Sequence, residues 1–155
     1  MSAPHALTEN AAWSTIIAAF ALLAACAEEP MPLLGSDPIY SMVFFDSGSS
    51  SLSKQARQKL ADDVLKPSPP IKAVLRPESS AKICVTGHAD NTSSEMINKE
   101  IGQRRADAVA KYLVELGVPQ QRVVASTLGS SKPLVVAPPN TPVVANRRVE
   151  VVFGC

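Results

Sequence analysis

An arginine sits where an amphipathic helix should be apolar. Ile97, Ile101, Ala108, Val109, Tyr112 and Leu116 recur at the three- and four-residue spacing of one helical face. Arg105 falls in the middle of that stripe and Asn98 at its edge. A guanidinium keeps its proton in a protein and does not enter an apolar face without compensation. Arg105 is therefore expected to face an anion, either a carboxylate of this chain or the carboxylate of a ligand. The helix is predicted to begin between Ser94 and Asn98 and to run to Leu116, where Gly117 and Pro119 end it. A short apolar run, Lys82 to Thr86, precedes it and closes on Gly87-His88-Ala89-Asp90. Strand, polar loop and helix thus follow one another with Asp90 at the strand's end.

The rest of the chain fits around that unit. Ser41 to Phe45 reads as a first strand, and Asp46-Ser47-Gly48-Ser49-Ser50 as a turn. Ser51 or Ser53 caps a helix in which Leu52, Ala56, Leu60 and Val64 recur every four residues. Pro67, Pro69 and Pro70 stop it, and Pro67 to Ser80 reads as a loop. Arg122 to Leu128 is a third strand, Lys132 to Pro142 a proline-rich loop, and Arg147 to Phe153 a fourth strand. The order βαβαββ predicts an α/β two-layer sandwich: a four-stranded mixed sheet with two helices on one face.

The amino-terminal segment has another character. Before Cys26 the only ionisable side chains are His5 and Glu9, and Trp13 to Ala25 is almost wholly apolar or small. That run falls short of the roughly 20 residues a spanning helix needs and suits the apolar core of a signal peptide. It ends in Leu23-Ala24-Ala25-Cys26, which resembles a bacterial lipobox. The expectation is a signal peptide over residues 1–25 and a lipidated Cys26. Residues 26–40 then form the lipidated Cys and a flexible tether, whose extended stretch Ala27 to Pro38 reaches on the order of 40 Å, and residues 41–155 a single domain. The amino-terminal region departs from the usual pattern in holding no Lys or Arg.

Composition excludes several functions. The net charge is +1 and aromatic residues make up 5%, so neither a phosphate-binding field nor a base-stacking surface for nucleic acid is present. No G-x-S-x-G, H-E-x-x-H or Gly-rich phosphate loop occurs. His88-x-Asp90 lacks an evident third metal ligand, and the Cys84 and Cys155 spacing is not that of a zinc or redox site. No cofactor or metal is expected, and a non-enzymatic binding protein is favoured over an enzyme.

Gly87-His88-Ala89-Asp90, Asn98, Ile101-Gly102-Gln103-Arg104-Arg105-Ala106, Tyr112-Leu113, Gly117-Val118 and Asn146-Arg147-Arg148-Val149-Glu150 together resemble the OmpA-like peptidoglycan-binding domain. Phe44-Phe45-Asp46 with its Ser-rich turn resembles the opening of that domain, and Ala89 and Gly102 resemble its lipoprotein branch, Pal. The resemblance implies that Asp90 and Arg105 clamp the diaminopimelate of a peptidoglycan stem peptide, one carboxylate and one guanidinium reading an ammonium and a carboxylate on one carbon. It implies secondary groove roles for Asp46, Thr92, Asn98, Ile101 and Arg148. At least one of Arg147 and Arg148 is expected to anchor the last strand to a carboxylate. Gly48, Ser93 and Ile97 depart from the family pattern, which carries Asn or Asp, Gly and an aromatic residue there. The family's sheet order, 1-4-2-3 with the fourth strand antiparallel, brings Cys155 near Cys84; a disulfide or two free thiols are the alternatives.

With the lipobox, the resemblance implies an outer-membrane lipoprotein of a Gram-negative bacterium. It would be lipid-anchored with its domain in the periplasm, holding the outer membrane to peptidoglycan. Ala27 in place of Asp favours outer-membrane sorting by the enterobacterial rule. The alternative is an interaction module of a cell-envelope complex, such as a Tol-Pal-like assembly or a secretion apparatus, with weak wall binding.

Overall fold

The computed structural model describes residues 39–155. The signal peptide, Cys26 and nearly all of the tether lie outside the described residues. The elements run β1 (Ile39–Phe44), α1 (Lys54–Leu65), α2 (Pro69–Leu75), β2 (Ile83–His88), α3 (Glu95–Glu115), β3 (Val123–Gly129) and β4 (Arg148–Phe153). The sheet order is β1-β4-β2-β3. β4 is antiparallel to both β1 and β2, and β2 and β3 are parallel. The first crossover therefore leads from β1 to a parallel strand one place removed, with β4 inserted between them. β1 starts at Ile39, two residues before the expected domain boundary.

Alternation places Val43, Ile83, Val85, Val149, Val151 and Phe153 on one sheet face, all buried. Ala56 and Leu60 of α1, Ile71 of α2, and Ala106, Val109 and Leu113 of α3 pack onto that face in one core. Ser53 caps α1 by accepting from the Ala56 N–H, and Ser94 caps α3 by accepting from the Ile97 N–H.

Two expectations need correction. The proline segment is not all loop, because Pro69 to Leu75 forms α2. Prolines at the first helical positions remove only N–H groups that have no helical partner anyway, so they start this helix as effectively as they end α1. Arg122 completes α2 from below, donating to the carbonyls of Val74, Arg76 (3.3 Å) and Ala81 (2.9 Å).

The buried face of α3 is also turned away from the apolar stripe. Asn98, Gly102, Arg105, Ala106, Val109 and Leu113 are buried, whereas Ile97 is exposed and Ile101, Ala108 and Tyr112 are half-buried. Small residues cause the rotation. A Cβ on Gly87 would overlap the Gly102 carbonyl, and one on Gly102 would overlap the Thr127 hydroxyl. α3 therefore rests on the sheet backbone itself, and hydrophobicity alone gives glycine no weight in choosing that face. Arg105 ends up at the rim of the contact, beside the carboxyl end of β2.

Candidate functional site

The site is built where β2 ends, where the chain leaves β1, and where α3 begins its second half. Asp90 stands two residues beyond β2 with its side chain 8% exposed. Its two oxygens are both engaged: Arg147 Nη1 donates to one at 2.9 Å and the Thr92 hydroxyl to the other at 3.0 Å. Arg147 Nε donates to the Phe45 carbonyl at 3.1 Å, and its own carbonyl accepts from the Phe45 N–H at 2.8 Å.

Arg105 is 1% exposed. Its Nε donates to the Ser49 carbonyl (2.8 Å), Nη1 to the His88 carbonyl (3.0 Å) and Nη2 to the Asp46 carbonyl (3.1 Å). Its guanidinium lies 5.4 Å from the centre of the Phe45 ring. The anion expected to face Arg105 is thus not bonded to it; three carbonyl dipoles take its place. Burial lowers the Arg105 pKa to about 10, the Asp90 charge opposes that shift, and Arg147 adds to it. Arg105 remains a cation at neutral pH. Three of its five N–H groups are bonded, which leaves two for another acceptor.

Arg105, Arg147 and Asp90 together form a buried cluster with two positive charges and one negative. It is electrostatically prepared for a carboxylate, while each Asp90 oxygen keeps a lone-pair direction for an ammonium. The Asp46 side chain is exposed, and that residue enters the cluster through its carbonyl. Thr92 orients Asp90. Asn98 is 2% exposed and donates to the Ser93 carbonyl (2.9 Å) and the Ser130 hydroxyl (3.2 Å), so it ties two loops together. Ile101 is half-buried on α3. Beside Asp90 a small cleft is lined by Ala89, Asn91, Ser130, Val135, Thr141 and Asn146. The Asn146 amide makes two bonds to the Val135 backbone (2.8 and 2.9 Å), and the Asn140 N–H donates to the Asn91 carbonyl (2.8 Å).

Arg148 does not join this cluster. It alternates with Val149 and so lies on the reverse face of the sheet, where it donates to Glu150 (2.7 and 2.8 Å) and to the Lys132 carbonyl (3.3 Å). Both arginines of Asn-Arg-Arg hold carboxylates, one on each side of the sheet. Phe45 and Ser49 are the parts that sequence reasoning missed; a carboxylate anchor was expected for Arg147 or Arg148, and Asp90 is the partner it left unnamed. The signal for Arg147 was the Asn-Arg-Arg run, whereas nothing in a sequence marks which carbonyls an arginine will reach.

His88 shares the reverse face. It is 2% exposed, its Nε2 lies 3.7 Å from Glu150 Oε1, and neither ring nitrogen has a partner among the described residues. Burial and the Arg148 charge lower its pKa, and Glu150 and the Lys132 backbone act the other way. Cys84 and Cys155 are joined by a disulfide, with Cα atoms 5.9 Å apart. The N–H groups of Gly154 and Cys155 also converge on the Lys82 carbonyl.

Known proteins share this architecture. Residues 44–148 match the OmpA family model. A peptidoglycan-associated lipoprotein of Buchnera aphidicola is 35% identical over 75 residues, 48% of this chain and 43% of that protein. One from Brucella melitensis is 31% identical over 112 residues, 72% of this chain and 62% of that protein. The chain thus spans 43% and 62% of the length of these two relatives. The crystal structure of the peptidoglycan-associated lipoprotein from Burkholderia pseudomallei superposes with a TM-score of 0.60 at 29% identity, covering 72% of this chain and 87% of that one. With the model match running from the end of β1 to the start of β4, the chain belongs to the OmpA family.

Proposed function

We propose that this protein binds peptidoglycan without covalent attachment, through the free end of diaminopimelate in the stem peptide. The observation that carries the reading is the buried cluster of Arg105, Arg147 and Asp90, which holds one positive charge in excess beside a carboxylate. The ligand's α-carboxylate takes the two unused N–H groups of Arg105, and its ammonium approaches Asp90. The Phe45 ring faces the guanidinium from one side, its centre 5.4 Å away. The names of the relatives support a wall-associated lipoprotein role, and the lipobox at Cys26 supports an anchor in the outer membrane. Together these support the reading of a non-enzymatic tether between outer membrane and wall.

Sedimentation of the protein with diaminopimelate-type sacculi tests this. Wild type co-sediments, and Asp90→Ala and Arg105→Ala remain in the supernatant while still unfolding cooperatively. Undiminished co-sedimentation of both variants refutes the assigned site.

A further inference from the structure

We propose that His88 is a positioning residue for this groove: its carbonyl holds Arg105, and its ring makes ligand binding sensitive to acid. The inference deepens the diaminopimelate reading and rests on it.

His88 spans the sheet. On the helix side its carbonyl oxygen accepts Arg105 Nη1 at 3.0 Å. On the reverse side its ring packs against β4 and the loop after β3, 2% exposed. The pairing of β2 with β3 shifts register between Gly87 and His88, and past that shift the His88–Ala89 peptide is held on two sides: its carbonyl by Arg105 and its N–H by the Gly129 carbonyl at 2.9 Å. Asp90 follows two residues later.

The charged groups around the ring are few. β4 contributes Arg148 and Glu150, the loop after β3 contributes Lys132, and β3 itself carries no titratable side chain. Across the sheet the His88 peptide meets Arg105, with Asp90 and Arg147 beyond it. Glu150 Oε1 already accepts both Arg148 Nε (2.8 Å) and Arg148 Nη2 (2.7 Å). Arg148 Nη1, like both ring nitrogens, is buried without a partner among the described residues.

A neutral ring is compatible with this packing. A proton makes both nitrogens donors, sets a second cation against Arg148, and draws the ring toward Glu150, whose Oε1 lies 3.7 Å away and is already shared with Arg148. The ring then swings toward Glu150, or Arg148 releases the Lys132 carbonyl. Each movement shifts the peptide on which Arg105 rests. Because burial and Arg148 hold the His88 pKa below 6.5, the transition falls on the acid side of that value. The diaminopimelate zwitterion keeps its charges there.

Nuclear magnetic resonance of the isotope-labelled full-length protein in detergent, titrated from about pH 7.5 to about pH 5, reads both ends of the coupling. The Arg105 Nε–Hε resonance is expected to move with the same midpoint as the His88 ring. The affinity for meso-diaminopimelate, measured in parallel, falls by up to about tenfold per pH unit below that midpoint. In His88→Gln both profiles are flat. In Glu150→Gln both midpoints move lower, because a carboxylate that favours the charged ring has gone. An Arg105 resonance indifferent to His88 titration, or an acid loss of affinity retained in His88→Gln, overturns the proposal. If Arg105 follows His88 but meso-diaminopimelate binds at no pH, the positioning role stands and the ligand assignment falls.

Discussion

Asp90 is bonded to Arg147 and not to Arg105. The 2.9 Å ion pair joins the loop after β2 to the first turn of chain before β4, and both side chains are more than nine-tenths buried. Arg105 remains a cation held by dipoles, with no carboxylate of its own. On the proposed reading, a ligand carboxylate meets a guanidinium to which no carboxylate of this chain is bonded.

Removing both halves of the buried pair should cost less than the two separate removals added together. Arg147→Met takes from Asp90 the one cation bonded to it, leaving the Thr92 hydroxyl and the more distant Arg105 charge, and lowers stability by about 3 kcal/mol, whereas the double variant Asp90→Asn with Arg147→Met loses less than the sum of the two single changes. Urea unfolding of the four proteins measures the coupling. Additive losses would show that the pair contributes nothing as a pair.

Gly87→Ala should destabilise strongly although it adds only a methyl group. The new Cβ meets the Gly102 carbonyl, a backbone atom that cannot rotate away. Overpacking of this kind costs about 1–3 kcal/mol, and here α3 must lift from the sheet. Gly48→Ala serves as the control. It has a positive φ of 66° but open space around it, so its cost is confined to backbone strain of about 1 kcal/mol. A reversed ranking in chemical denaturation would contradict the close approach.

Cys84→Ser with Cys155→Ser should lower stability without altering ligand binding at neutral pH. The bond closes a loop with a sequence separation of 71 residues. A cross-link of that length constrains the unfolded chain by about 4 kcal/mol. Its position at the start of β2, away from Asp90, leaves the site untouched. Matched urea midpoints for oxidised protein and double variant would remove the bond from the account of stability.

Stability should fall as the solution is made mildly acidic. The His88 pKa is lower in the folded protein than its ordinary value of 6.5. Between those two values the unfolded chain therefore binds more protons, and stability rises with pH until it levels above 6.5. Melting temperatures across that range should lose this slope in His88→Gln. A slope that survives the substitution assigns it to other groups.

Much of the fold could be read from the chain because each element obeyed a local rule. Ser53 did cap a helix, α3 did begin within the expected range, Gly117 with its φ of 100° did end it, and the run before Phe153 did form the last strand. What escaped depended on backbone atoms. Pro69 and Pro70 looked like an ending because the sequence does not show that a new helix begins on them. The face of α3 was set by Gly87 against Gly102, residues without side chains to count. Asp90 and Arg105 stood out as charges in an apolar setting, but the oxygens that hold Arg105 belong to Asp46, Ser49 and His88 main chain. Arg148 was set on the wrong side because a strand's two faces are told apart only once its register is known.

The sheet order also has a mechanical consequence. Ile39, Phe153 and Ile83 stand in register at one end of the sheet, and Asp90 lies past the other. A pull applied at Ile39 and resisted at Asp90 runs along the strands. The β1–β4 and β4–β2 hydrogen bonds are then sheared together, so that the ladder yields as a whole where a peeling load would open it one rung at a time.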